Sequence, residues 1–128
     1  MPRQIVNTPQ APQPVGPYSQ AVRVGDLVFV SAQLPFDPLT NTLVHGGIRT
    51  QTRRVLENVR AVVEAAGGNM SQVVRTTLCV KSIDDFAQIN EVYAEFFPGD
   101  KPARITFEAR RLPKDAILSI DAIVHLGQ

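Results

Sequence analysis

The chain has 128 residues, the length of one domain, with 44% apolar and 20% charged residues, a globular balance that excludes a disordered polymer. A net charge of +1 gives no basic field for non-specific nucleic-acid binding, and 6% aromatics without tryptophan leave little for base stacking, so a nucleic-acid partner is not expected. One cysteine excludes an internal disulfide, and two histidines far apart in sequence do not make a metal site.

Residues 1–7 lack the apolar core of a secretory signal and no run reaches transmembrane length, so the chain reads as cytoplasmic, with no membrane partner. Five prolines between Pro2 and Pro17 impose an extended, irregular segment in which at most Ile5-Val6 forms a short edge strand. Gly16-Pro17 marks a turn before Tyr18, an aromatic expected to be half-buried with its hydroxyl at the surface. Residues 19–24 and 27–33 read as strands joined by Gly25-Asp26. Leu27 to Ala32 is nearly all apolar, which predicts burial on both faces, with Ser31 at the strand end. Pro35 and Pro38 to Asn41 predict a loop.

Residues 48–66 carry a helical stripe of Ile48, Thr52, Val55, Leu56, Val59, Val62, Val63 and Ala66, stopped by Gly67-Gly68; Asn58 beside it reads as structural. Residues 73–81 predict a strand with Val74, Thr76, Leu78 and Val80 on one face and Cys79, an inert packed thiol, on the other. A second helix is predicted over 83–97, capped by Ser82 with Asp85 three residues on, and striped by Ile83, Phe86, Ile89, Tyr93 and Phe96 or Phe97; Asn90 lies beside the stripe.

Two alternating runs close the chain. Arg104, Thr106 and Glu108 oppose Ile105, Phe107 and Ala109; Ser119 and Asp121 oppose Leu118, Ile120, Ala122 and Val124. Leu112-Pro113-Lys114-Asp115 supplies a turn, so the runs read as a hairpin whose polar face joins Arg104 to Ser119. The order β-β-α-β-α-β-β predicts an α+β sandwich, with both helices covering one face of one sheet. The other face is left uncovered yet partly apolar, Ile117 and Ile123 flanking Ser119 and Asp121, which predicts oligomerisation through it. Arg104, Thr106 and Ser119 then fall near a subunit boundary. A guanidinium there is a planar, permanently charged fork suited to a carboxylate or phosphate.

Gly16-Pro17-Tyr18-Ser19-Gln20-Ala21, Val30 to Pro35, Leu56 to Val59, Phe96-Phe97-Pro98, Pro102-Ala103-Arg104 and Arg111 to Asp115 occur in an order that resembles the YjgF/RidA family of reactive-imine deaminases, over nearly the whole chain. The resemblance implies a chorismate-mutase-like α+β fold and a homotrimer, its three sheets packed into a central barrel with pockets between subunits. The implied reaction is hydrolysis of 2-imino acids to 2-oxo acids and ammonia, without a cofactor. By motif, Arg104 would grip the substrate carboxylate, assisted by the backbone N–H of Ala32, where the family usually has glycine. Tyr18, Ser31, Asn90 and Thr106, a position often held by cysteine, would line the pocket.

One position departs from the pattern. Ser119 stands where deaminases of the family usually carry a glutamate thought to orient or activate water, and serine is a poor base at neutral pH. Asp121 lies about 6–7 Å further along the same strand face, and Glu108 sits on the neighbouring run. Three readings stay open: an imine deaminase relying on positioning by Arg104, a hydrolase for another imine or enamine admitted by the smaller serine, or a non-catalytic module binding small carboxylates or a regulatory partner. The ribonuclease activity also linked with the family finds no His–His or His–Lys pair in the sequence.

Overall fold

The computed structural model describes residues 2–127. Its strands are β1 (Gln4–Val6), β2 (Ala21–Val24), β3 (Leu27–Gln33), β4 (Phe36–Asp37), β5 (Thr42–Leu43), β6 (Val73–Val80), β7 (Ala103–Glu108) and β8 (Leu118–His125). The helices are α1 (Ile48–Ala65) and α2 (Phe86–Phe96). Six strands form one sheet in the order β1-β2-β3-β8-β6-β7; β4 and β5 pair separately, as a small hairpin around the loop expected at Pro38 to Asn41.

The last two strands are not a hairpin. β6 lies between them, pairing antiparallel with β8 and parallel with β7. A parallel neighbour needs a crossover, and α2 provides it. β8 buries Leu118, Ile120, Ala122 and Val124 and takes an interior place between β3 and β6, whereas β7, all of whose residues keep some solvent exposure, takes the edge. In the register, Arg104 stands beside Thr76, and Cys79 stands between Phe107 and Ser119.

The α1 stripe is as expected, with Thr52, Val55, Leu56, Val59, Val62 and Val63 fully buried against Val28, Val30, Leu78, Val80, Leu118 and Ile120. Asn58 is structural: its Nδ2–H donates to the Leu34 and Phe36 carbonyls at 3.0 and 2.9 Å, tying the β4 segment to the helix. Buried Gln20 does the same for the proline-rich segment, with its Oε1 accepting the Thr8 N–H at 2.7 Å and its Nε2–H donating to the Thr8 and Pro12 carbonyls at 3.0 and 2.9 Å.

Several local expectations change. β3 is buried on one face only: Val28 and Val30 are covered, while Leu27 and Phe29 are 40% and 45% exposed. Its apolar outer residues belong to the open face of the sheet, with Ile105 and Phe107 of β7. Ile117 packs against the core. A register shift between Val73 and Arg75 buries Val73 and turns Val74 outward. The Ser82 side chain accepts the Asp84 N–H at 3.3 Å, capping a 3₁₀ turn over Ile83–Asp85 that precedes α2. Ile83 and Phe86 are therefore exposed, and α2 buries Ile89, Val92, Tyr93 and Phe96.

Candidate functional site

The structure gathers the expected site residues into two groups. Tyr18, Ser31, Ala32 and Ser119, with Val15, Leu34 and Pro113, line a cleft of about 290 Å³. The turn before Tyr18 closes through its N–H to the Gly16 carbonyl at 2.9 Å, and the Tyr18 hydroxyl accepts the Val15 N–H at 3.2 Å. The ring is half-exposed, as its place after the turn implies. Ser31 donates its hydroxyl to the Ser19 carbonyl at 2.6 Å. Ser31 and Ala32 fall in a bulge where β3 pairing with β8 shifts between Val30 and Gln33; bulges re-aim strand residues, and this one opens the strand toward the cleft. Ser119 is buried opposite, beside Cys79. Burial raises the Cys79 thiol above its ordinary pKa, with the Ser119 hydrogen bond working the other way.

Arg104, Asn90 and Thr106 form the second group, on the helix-covered face at the sheet edge. Arg104 donates from Nη1 to Asn90 Oδ1 at 2.8 Å. Its guanidinium lies over the Phe86 ring at 5.3 Å and the Tyr93 ring at 4.8 Å, within cation–π range. The Tyr93 hydroxyl is bonded to Thr76 Oγ1 at 2.7 Å, and Thr76 is fully buried. Burial raises the Tyr93 hydroxyl pKa, while Thr76 and the Arg104 charge lower it. Among the described residues Arg104 has no carboxylate partner, so the remaining donors of its fork are open to an anion. Thr106 is two residues on, on the same face and part-exposed.

The polar face imagined for a terminal hairpin therefore does not exist, because Arg104 and Ser119 project from opposite faces of the sheet. Of the two carboxylates expected on the face of Ser119, Glu108 lies on the opposite face with Arg104, and both are engaged. Asp121 Oδ1 accepts the Thr77 N–H at 2.8 Å, and Glu108 Oε1 accepts the Ile83 N–H at 2.8 Å. The sequence reading missed the setting of Arg104. Phe86, Asn90 and Tyr93 recur at helical spacing, but that spacing alone reads as core packing. Among the described residues no group of three His, Cys, Asp or Glu is placed to hold a metal ion, and no helix is long and apolar enough to cross a membrane.

Fold and residues together place the protein in a known class. The endoribonuclease L-PSP family matches residues 8–126, and the chain belongs to this family, also called YjgF/RidA. A RutC family protein of Pyrococcus abyssi is 46% identical, covering 98% of both chains. A 2-iminobutanoate/2-iminopropanoate deaminase of Dermatophagoides farinae is 46% identical over 96% of both. The crystal structure of E. coli TdcF with bound serine superposes with a TM-score of 0.92 at 40% identity, covering 95% of this chain and 98% of that one.

Proposed function

We propose that the protein hydrolyses 2-imino acids to 2-oxo acids and ammonia, at sites completed where the Arg104 group of one copy meets the Tyr18–Ser119 cleft of another. The carrying observation is Arg104 itself: a part-exposed guanidinium held by Asn90, Phe86 and Tyr93, without an acid partner among the described residues. Holding such a fork fixed before the ligand arrives reduces the ordering cost of gripping a carboxylate. The deaminase relative and the serine-bound neighbour support a small amino- or imino-acid ligand. The open sheet face, with Phe29, Ile105 and Phe107 each nearly half-exposed, supports a homotrimer built through it.

In this reading the Arg104 fork takes the α-carboxylate, with the Ala32 N–H on the same group. Tyr18 and Ser31 shape the cleft, Thr106 borders the Arg104 side, and Ser119 positions water by hydrogen bonding without removing its proton. A protonated imine is already electrophilic, so holding water and imine carbon together supplies rate without a strong base. Water adds to the carbon, the C–N bond breaks, and nitrogen leaves as ammonia. The reaction needs no cofactor. The non-catalytic alternative, a small-carboxylate-binding or regulatory module, draws on one observation: Asp121 and Glu108 both bond backbone N–H groups.

The deciding experiment generates 2-iminopropanoate and 2-iminobutanoate in situ with an amino-acid oxidase and follows 2-oxo acid release, with Arg104→Ala as control. Release that falls at least about 30-fold in the variant, the lower end for unpairing a bound charge, supports the deaminase. No release above background, with 2-oxobutanoate still bound in an Arg104-dependent way, establishes the binding module.

A further inference from the structure

A second hollow lies beside the Ser119 cleft. Val15 lines both, and the turn that puts Pro113 in the wall of the first puts Lys114 in the wall of the second, a space of about 680 Å³. Phe36 and Leu43 give it an apolar floor that belongs to a small core with Leu34 and Ala116. His45, Thr42 and Lys114 give it polar walls. The sequence separates His45 from Lys114 widely, so their shared hollow is visible only in the fold. Lys114 has φ 58°, a left-handed conformation that a side-chain-bearing residue keeps only where its surroundings fix it. Among the described residues its ammonium has no ion-pair partner. Asn41 also lines the hollow, its Oδ1 buried without a partner, which a water or a protonated carboxyl can satisfy.

Charge decides what fits. Neither compartment has an aspartate or glutamate in its wall. Asp37, on the strand paired with Thr42, spends its Oδ1 on the Leu39 N–H at 2.8 Å. With serine at position 119, no fixed negative charge among the described residues lines the cleft, Val15 or the hollow of Lys114. We infer that the hollow is a side-chain subsite that makes 2-imino dicarboxylic acids the preferred substrates. This rests on the deaminase reading and extends it. The α-carboxylate lies on Arg104, the imine carbon at Ser119, and the side chain passes Val15 so that its distal carboxylate meets Lys114, a compact point charge, with His45 alongside. Water adds to the C=N carbon and ammonia leaves, giving a 2-oxo dicarboxylate.

The test compares kcat/KM for 2-iminosuccinate and 2-iminoglutarate with that for 2-iminobutanoate, each formed in situ and corrected for spontaneous hydrolysis. Calorimetry of 2-oxoglutarate and 2-oxobutanoate reads binding independently of turnover. The expected result is a preference of about tenfold or more for one dicarboxylic imine. Lys114→Met should remove it through KM while leaving 2-iminobutanoate unchanged, and Lys114→Arg should keep it. Thermal melting confirms that both variants fold. Unchanged discrimination and unchanged 2-oxoglutarate affinity in Lys114→Met overturn the subsite. Lys114-dependent 2-oxoglutarate binding without hydrolysis of any imine leaves the subsite standing and overturns the deaminase reading instead.

Discussion

Arg104 and Ser119 stand on opposite faces of the same sheet, on strands separated by β6. One chain therefore does not bring both to one small ligand, and the proposed site needs two copies. Complementation checks this. Arg104→Ala removes the carboxylate grip, and Ser119→Trp fills the cleft; each alone is inactive. Co-refolded in equal amounts, random assembly pairs an intact Arg104 with an intact cleft at about a quarter of the sites, and about that fraction of activity should return. Mixtures that stay inactive while mixed oligomers are shown by mass spectrometry would place the site within one chain.

The open face gives the second prediction. Phe29 and Phe107 are 45% and 48% exposed, and covering a large apolar side chain is worth about 1.5–3 kcal/mol. Phe107→Glu puts a charge among these residues without touching the core beneath. Light scattering should show the wild type as a trimer and the variant as a monomer, with circular dichroism unchanged and activity lost. A trimeric variant with wild-type activity would move the interface elsewhere.

Helical and strand periods locate α1, β3, β6 and β8 because each buries a stripe, interrupted in β6 where the register shift turns Val74 out, and the apolar surplus of β3 carries information about assembly once its other face proves open. Spacing does not reveal strand order. The closing runs look like a hairpin because the turn between them is real, but the crossover through α2 had already committed β7 to pair with β6. The candidate site residues were nameable from motifs, yet their division between two faces depends on that order. The helical neighbours of Arg104 and the shared hollow of His45 and Lys114 join residues that no local pattern connects.

Position 119 carries the third prediction. Among the described residues the cleft holds no carboxylate; Asp121, two residues on, and Glu108, on the opposite face, each accept a backbone N–H. If water activation limits the rate, Ser119→Glu should raise kcat for 2-iminobutanoate by about 10²-fold, the lower end for a positioned general base. Ser119→Gln, similar in size without the base, should give no gain. The same glutamate should raise KM for dicarboxylic imines by placing a like charge on their path. Equal effects of both substitutions would show that proton removal does not limit turnover.

Cys79 supplies a prediction in pH. It is buried beside Ser119 and Phe107, and burial holds its thiol above the ordinary range, against the weaker pull of the Ser119 hydrogen bond. The native protein should therefore react with a disulfide reagent at neutral pH more slowly than the unfolded chain, whose thiol has a pKa near 8.5. The same shift acts on stability. The folded state keeps a proton that the unfolded state gives up, so this contribution is complete below the unfolded thiol pKa and is lost as pH rises above it. Tyr93, raised in the same direction, adds a like loss at higher pH. Denaturant titrations from pH 7 to 10 should show the alkaline fall in stability becoming shallower in Cys79→Ala, and parallel curves for the two proteins would show that the thiol titrates alike in the folded and unfolded states.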